Sequence, residues 1–281
     1  MSNLEIKVEA ERLYQLYKDD PRTGSFKGII YGGFGTGKTS MLRTCRLPLH
    51  VDSFDPGGTK VLRGEAILNG VLYPDEMSRG NIICDTRYET ENPYSPSVVE
   101  LWDKEFDRRL SMGYFDRLGT YVIDSMTTWA QDIMYLVMRK AGRAGGVPQQ
   151  NDYLPQMTII ENAMRKFLKL PCDCILIGHD STDKDESTGR MFVSLMITGK
   201  LVKRVPILFD EVWMAQTKET SKGIEYQLLT KSTGLFTARS RLCNKGQIGM
   251  YEPSDIKAIL KKAGLPTEDK PSLFQEVTDV V

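Results

Sequence analysis

The chain has 281 residues, 41% of them apolar, and its 37 basic side chains balance 37 acidic ones to a net charge of zero. That allows one large α/β domain with extensions, or two small domains, around a real core, and it excludes a global electrostatic footprint for nucleic acid, so any such contact must come from local patches. No apolar run has the length of a membrane span, Met1-Ser2-Asn3-Leu4-Glu5 is no secretory signal, and five cysteines without one predict reduced thiols in a cytoplasmic protein, in the host cytoplasm if the chain is phage-encoded.

Residues 3–19 place Leu4, Val8, Leu13, Leu16 and Tyr17 among charges, which predicts an amphipathic helix. Packing on its own core is the default and docking on a neighbour the alternative. Residues 20–24 break it, and 26–31 read as a short buried strand. Next comes Gly32-Gly33-Phe34-Gly35-Thr36-Gly37-Lys38-Thr39-Ser40, which fits G-x-x-x-x-G-K-[ST], with residues 40–45 able to start a helix. A strand, a glycine-rich turn and a helix aim backbone N–H groups and a helix dipole at one point. Gly32, Gly33, Gly35 and Gly37 let the backbone take positive φ and approach a phosphate closely. Lys38 is placed for the β- and γ-phosphates and Thr39 for Mg²⁺, so the motif implies a nucleoside triphosphate such as ATP.

Residues 47–52 read as a second strand, followed by the turn Asp55-Pro56-Gly57-Gly58, and 81–85 as a third. Residues 97–112 carry Val98, Val99, Leu101, Trp102, Phe106 and Leu110 at helical spacing. Strand 120–124 ends in Asp124, the Walker B position, where a carboxylate faces Mg²⁺ opposite Thr39. Helix 126–138, a polar loop over 141–152, a helix over 157–168 and a strand over 174–178 follow. Segments 211–215 and 226–229 read as antiparallel additions, and 254–264 as a peripheral helix capped by Ser254. Cys172 and Cys174 share a strand face, and with two histidines in the chain a zinc site is not expected. This alternation predicts an α/β fold, a doubly wound, mainly parallel sheet with antiparallel strand additions, and ligands at the carboxyl ends of the strands. The expected division is a helix over 1–24, a core over 25–245 and a helical extension over 246–281.

The order of P-loop, second strand, Val122-Ile123-Asp124-Ser125, loop, helix and polar-ended strand resembles the RecA-like recombinase ATPases over roughly residues 25–241. Within them it is similar to the compact phage proteins of single-strand annealing and recombination. The resemblance implies a Mg²⁺-dependent, oligomeric ATPase, ring or filament, that acts on single-stranded DNA and could meet a single-strand-binding protein. Ser125 stands where AAA+ proteins carry a Glu, and alignment puts Phe54 where the RecA family has its catalytic Glu. Asp55 or Asp52, with Glu89 or Glu91 as further options, are the substitutes, and Asp55 reads equally well as a turn residue. In Gly178-His179-Asp180, His179 stands where the family senses the γ-phosphate. Lys140 and Arg143 on one loop, and Lys184, Arg190 and Phe192 between Asp180 and Lys200, are the implied DNA contacts, with Asp183, Asp185 and Glu186 weakening the second set. Lys200, Lys203, Arg204, Lys231, Arg239 and Arg241 are candidates for a cation reaching a neighbour's γ-phosphate. A nucleotide-dependent assembly or switch protein without DNA binding is the alternative, and a small-molecule or nucleotide kinase a third, against which no arginine-rich lid is visible.

Overall fold

Every residue of the runs 27–31, 49–53, 120–124 and 173–178 is buried, as expected for parallel strands covered on both faces. The structure, a computed structural model, describes residues 3–20, 24–184, 186, 188–221, 223–242 and 247–274. Asp185, residues 21–23 of the break and 275–281 of the C-terminal extension lie outside the described residues.

The elements are α1 (Asn3–Lys18), β1 (Lys27–Tyr31), β2 (Leu49–Ser53), β3 (Ala66–Leu68), β4 (Val71–Tyr73), β5 (Ile82–Asp85), α2 (Val98–Ser111), β6 (Thr120–Asp124) and α3 (Met126–Lys140). They continue with α4 (Tyr153–Phe167), β7 (Asp173–Gly178), β8 (Asp180–Lys184), β9 (Met191–Leu195), α5 (Leu201–Leu208), β10 (Glu211–Thr220), β11 (Gly223–Leu229), β12 (Arg239–Ser240), β13 (Tyr251–Pro253) and α6 (Ile256–Ala263). The main sheet runs β13-β11-β10-β1-β7-β6-β2-β5, with β12 paired to β10. Strands β10, β1, β7, β6, β2 and β5 are mutually parallel, so their carboxyl ends lie on one edge. This is the predicted mainly parallel α/β sheet.

Alternate residues sort to two faces. Tyr121 and Ile123 of β6 point into a core with Trp102, Trp129, Phe167 and Phe209 from the helical side, where the rings of Trp102 and Trp129 meet edge-on at 5.2 Å. Val122 points the other way, into a core with Met41, Leu42, Ile256 and Leu260. That second face is covered by α6 and by 3-10 turns over residues 40–44 and 58–62.

Several expectations change. The segment after the phosphate loop is a 3-10 turn, Ser40–Thr44, and no α-helix follows the motif directly. Its Arg43 donates to the carbonyls of Val61, Arg63 and Gly64, and these long-range ties hold the turn where local propensity would extend a helix. Strand β10 is parallel to β1, with Gly28 beside Glu211; only β11, β12 and β13 are antiparallel additions. Residues 180–184 and 191–195 pair as the hairpin β8–β9 where an open loop is expected. Helix α6 is capped by Asp255, whose carboxylate accepts from Ala258 N at 2.9 Å, one residue later than Ser254. Helix α1 buries none of its residues, so packing on its own core is not what it does: Leu4, Val8, Leu13, Leu16 and Tyr17 are all exposed. Their angular positions on a helix wheel fall on more than one face, which leaves no single apolar stripe to bury.

Candidate nucleotide site

Residues 32–40 cross the carboxyl edge of the sheet directly after β1, where Gly32 N donates to Gly178 O at the end of β7 (3.3 Å). A Cβ on Gly32 would stand 2.4 Å from Ala215 O of β10, so only glycine lets the loop enter between its two neighbouring strands. Gly37 has φ +76° and its missing Cβ would strike the ring of Tyr226 at 2.6 Å. Gly35 also has positive φ, whereas Gly33 does not, which corrects the expectation for that position. Thr36 Oγ1 donates to Gly33 O at 2.8 Å and closes the loop on itself. Phe34 stands at the tip, 96% exposed.

Lys38 is buried and its Nζ donates to Gly32 O at 2.8 Å and Gly33 O at 2.7 Å. Burial lowers its pKa, with Asp124, Asp180 and Asp55 working in the opposite direction. Thr39 Oγ1 donates to Asp124 Oδ2 at 2.7 Å. Burial pushes the Asp124 carboxyl up to about 6, and nearby Asp55 adds to the rise, while the Thr39 hydroxyl, Lys38 and His179 oppose it. A hydroxyl beside a buried, unneutralised carboxylate fits Mg²⁺, a hard cation that takes one or two protein oxygens and fills its remaining positions with phosphate and water oxygens. No group of three or more His, Cys, Asp or Glu suited to a metal occurs among the described residues.

The remaining carboxylates sort by their partners. Asp55 accepts from His179 Nε2 (2.9 Å), from Ser125 Oγ (2.8 Å) and from Thr128 Oγ1. Burial pushes its carboxyl up, but those three hydrogen bonds outweigh it and hold the pKa below the ordinary value. Asp55 thus stands in the turn before Pro56 and is also bonded to His179, Ser125 and Thr128 at the carboxyl edge of the sheet. Phe54, at the place of the family's Glu, is buried and stacks on Tyr88 at 5.2 Å. Asp52 faces the helical side, where His50 Nε2 (2.8 Å), Arg109 Nη1 (2.9 Å), Trp102 Nε1 (3.0 Å) and Tyr121 Oη (2.5 Å) surround its carboxylate; nothing is left for a water. Glu91 accepts from the backbone N–H of Asn92, Ser97 and Val98, which makes it the anchor of the α2 N-terminus. Glu89 accepts from Ser53 Oγ (2.7 Å) and Gly57 N (2.9 Å) and braces the turn that carries Asp55.

Three positioning residues lie directly behind Asp124; Thr127 and Thr128 were not singled out from sequence, and Ser125 only as the residue that replaces a Glu. Ser125 is the N-cap of α3, Thr127 Oγ1 accepts from His179 N at 3.0 Å, and Thr128 completes the cradle of Asp55. The only signal of Thr127 and Thr128 was their place directly behind Asp124. Asp180 stands over the loop, with Oδ1 at 3.7 Å from a Cβ placed on Gly33.

The charged candidates are scattered. Lys140 pairs with Glu100 at 3.7 Å and Arg143 with Asp152. Lys184, Arg190 and Phe192 lie on the hairpin β8–β9 and its turn, with Asp183 directly across from Phe192. Arg239 is turned inward and donates to Phe209 O and Pro206 O at the end of α5, while Arg241 pairs with Asp210 at 3.1 Å and Arg204 with Glu161 at 2.8 Å. Lys200, Lys203 and Lys231 are exposed. Cys172 and Cys174 are buried beside Lys27, whose Nζ reaches Cys174 Sγ at 3.1 Å, and belong to the core. No helix of the described residues is long and apolar enough to cross a membrane.

A family profile described as an AAA domain, AAA_24, matches residues 25–242. Among solved structures the chain is similar to the KaiC-like protein PH0186 of the hyperthermophilic archaeon Pyrococcus horikoshii OT3, at 12% identity and a TM-score of 0.37, over 75% of this chain and 79% of that one. It is similar also to the flagellar accessory protein FlaH of Methanocaldococcus jannaschii, at 12% identity and a TM-score of 0.39, over 75% and 81% of the two chains. These likenesses are distant. No curated protein matches the chain.

Proposed function

From a chain that belongs to the AAA_24 family of AAA domains, we propose a Mg²⁺-dependent ATPase that couples γ-phosphate hydrolysis to an action on single-stranded DNA, in recombination or annealing. The observation that carries the ATPase reading is the convergence of Lys38, Thr39 and Asp124 with the Asp55–His179 pair at the carboxyl ends of β1, β6, β2 and β7. Thr39 and Asp124 would hold the magnesium, which when bound supplies positive charge against the phosphates. Lys38 exchanges the two loop carbonyls for phosphate oxygens, a substitution of like acceptors that costs little. Asp55, kept ionised by three donors, is the carboxylate available to take a proton from the attacking water, and His179 fixes its orientation.

The support for DNA is the covalent continuity from His179 into the hairpin β8–β9. His179 O accepts from Met196 N at 2.8 Å, so both ends of the hairpin meet at the residue beside Asp55. Lys184 and Arg190 stand at its exposed end to meet phosphates, and Phe192 is available to stack on a base. Lys140, exposed and paired with the exposed Glu100, is released at little cost to meet a further phosphate, whereas Arg143 would have to leave the buried Asp152 to do so. Oligomerisation would place an exposed cation, Lys200, Lys203 or Lys231, at a neighbour's site, and a single-strand-binding protein is a compatible partner.

The test is ATP hydrolysis with and without single-stranded DNA across a salt series. Stimulation that fades as salt rises supports the coupled reading. Hydrolysis with no stimulation and no retention on DNA at low salt leaves a nucleotide-dependent switch, a reading favoured by the balanced charge and the acidic Asp183.

A further inference from the structure

A cavity of about 720 Å3 lies beside the phosphate loop, between the hairpins β3–β4 and β10–β11, with β13 and Asp255 closing it. Three features tie it to the loop. Tyr226 lines it, and the same ring abuts Gly37, so loop and cavity share a wall. Asn69 clamps the β3–β4 turn to that wall, donating from Nδ2 to Tyr226 O at 2.8 Å and accepting from Tyr226 N at 2.9 Å. Behind Asp255, Ile256 N donates to Thr44 Oγ1 at 2.8 Å and fixes α6 to the turn that follows the loop.

The lining is apolar in its walls, with Val71, Ile224, Tyr226 and Tyr251, and polar in Glu225 and Gln227. Its volume falls in the range of roughly 300–1,000 Å3 typical of small-molecule sites, and an aromatic wall with a few polar groups suits a flat heterocycle bearing hydroxyls. In a loop of this type the backbone amides cradle the inner phosphates and the lysine reaches the outer ones. The nucleoside therefore departs on the amide side, where Gly37 meets Tyr226.

We infer that this cavity is the nucleoside subsite, receiving the base and ribose of a nucleotide whose polyphosphate is held by residues 32–40. The inference rests on the phosphate-loop reading and adds to it the residues that distinguish a nucleotide from a bare polyphosphate. Tyr226 is the stacking wall, and the hairpin β3–β4, which no sequence pattern flagged, is the outer rim.

Calorimetric titration with Mg²⁺-ATP and, separately, Mg²⁺-tripolyphosphate tests it on the full chain. Wild type binds ATP more tightly than tripolyphosphate by roughly tenfold or more, the size of one good stacking contact. Tyr226→Ala loses that margin and keeps its tripolyphosphate affinity. Val71→Trp, on the rim and away from the loop, obstructs the cavity and gives the same split even if Tyr226→Ala disturbs Gly37. Equal affinities in wild type, or a Val71→Trp variant that loses both ligands alike or neither, overturn the subsite. A wild type that binds neither ligand, or a Lys38→Ala variant that keeps both, refutes the phosphate-loop reading itself and is thereby distinguished from failure of the subsite alone.

Discussion

Replacing Asp124 by Asn should make the protein more stable at neutral pH while removing its response to Mg²⁺-nucleotide. The carboxyl is 3% exposed and titrates at about 6 against an ordinary 3.8, because burial disfavours its charge. The native state thus prefers the protonated form. The stability this contributes is complete below about 3.8 and is lost as the pH rises through about 6. The gap between the two values corresponds to about 3 kcal/mol, nearly all of it expressed at pH 7.5 and about half at pH 5. Asparagine keeps an acceptor for the Thr39 hydroxyl and carries no charge, so it recovers most of that cost. With an unfolding entropy of about 0.6 kcal/mol/K for a chain of this length, the gain is about 5 °C in Tm. Thermal melts of wild type and Asp124→Asn at pH 7.5 and pH 5, with and without Mg²⁺-ATP, measure it. Wild type should rise on adding Mg²⁺-ATP and the variant should not. A variant that melts lower than wild type at pH 7.5, or whose advantage does not shrink at pH 5, would refute the argument that a buried carboxylate is kept here at a cost for a cation.

Other outcomes follow from the same geometry. Lys38→Ala should abolish nucleotide binding or turnover, read by titration and phosphate release. Asp55→Asn and His179→Ala should each lower kcat by roughly a hundredfold, with nucleotide affinity within a few-fold of wild type, since general-base groups contribute on that scale; a selective loss of affinity would instead assign the pair to binding. Gly37→Ala should destabilise the fold by about 1–3 kcal/mol and weaken nucleotide binding, because the added Cβ meets positive φ and the Tyr226 ring. Glu91→Ala should cost about 1 kcal/mol in denaturant melts through the loss of its contacts at the α2 N-terminus, with kcat unchanged; a fall in turnover would return Glu91 to the list of bases.

The primary structure alone settled the features whose causes are local. A short apolar run before a glycine-rich turn that ends in Lys38-Thr39 reads as a buried strand feeding a phosphate loop, and apolar runs ending in Asp124 and Gly178 could be placed beside it because their lengths and polar ends repeat the same pattern. What only tertiary packing decided are the features set by distant partners. Arg43 and three carbonyls from residues 61–64 hold the segment after the loop as a 3-10 turn. Strand β10 lies parallel to β1 on one side and antiparallel to β11 on the other, a pairing that no alternation of its own residues records. Of four acidic residues near the expected base, the surroundings sort one from the rest: Asp52 is saturated by four donors, Glu91 is spent on backbone N–H groups, Glu89 on Ser53 Oγ and Gly57 N, and Asp55 faces His179 from 124 positions away. A carboxylate's role is fixed by who donates to it, and donors come from wherever the sheet order brings them.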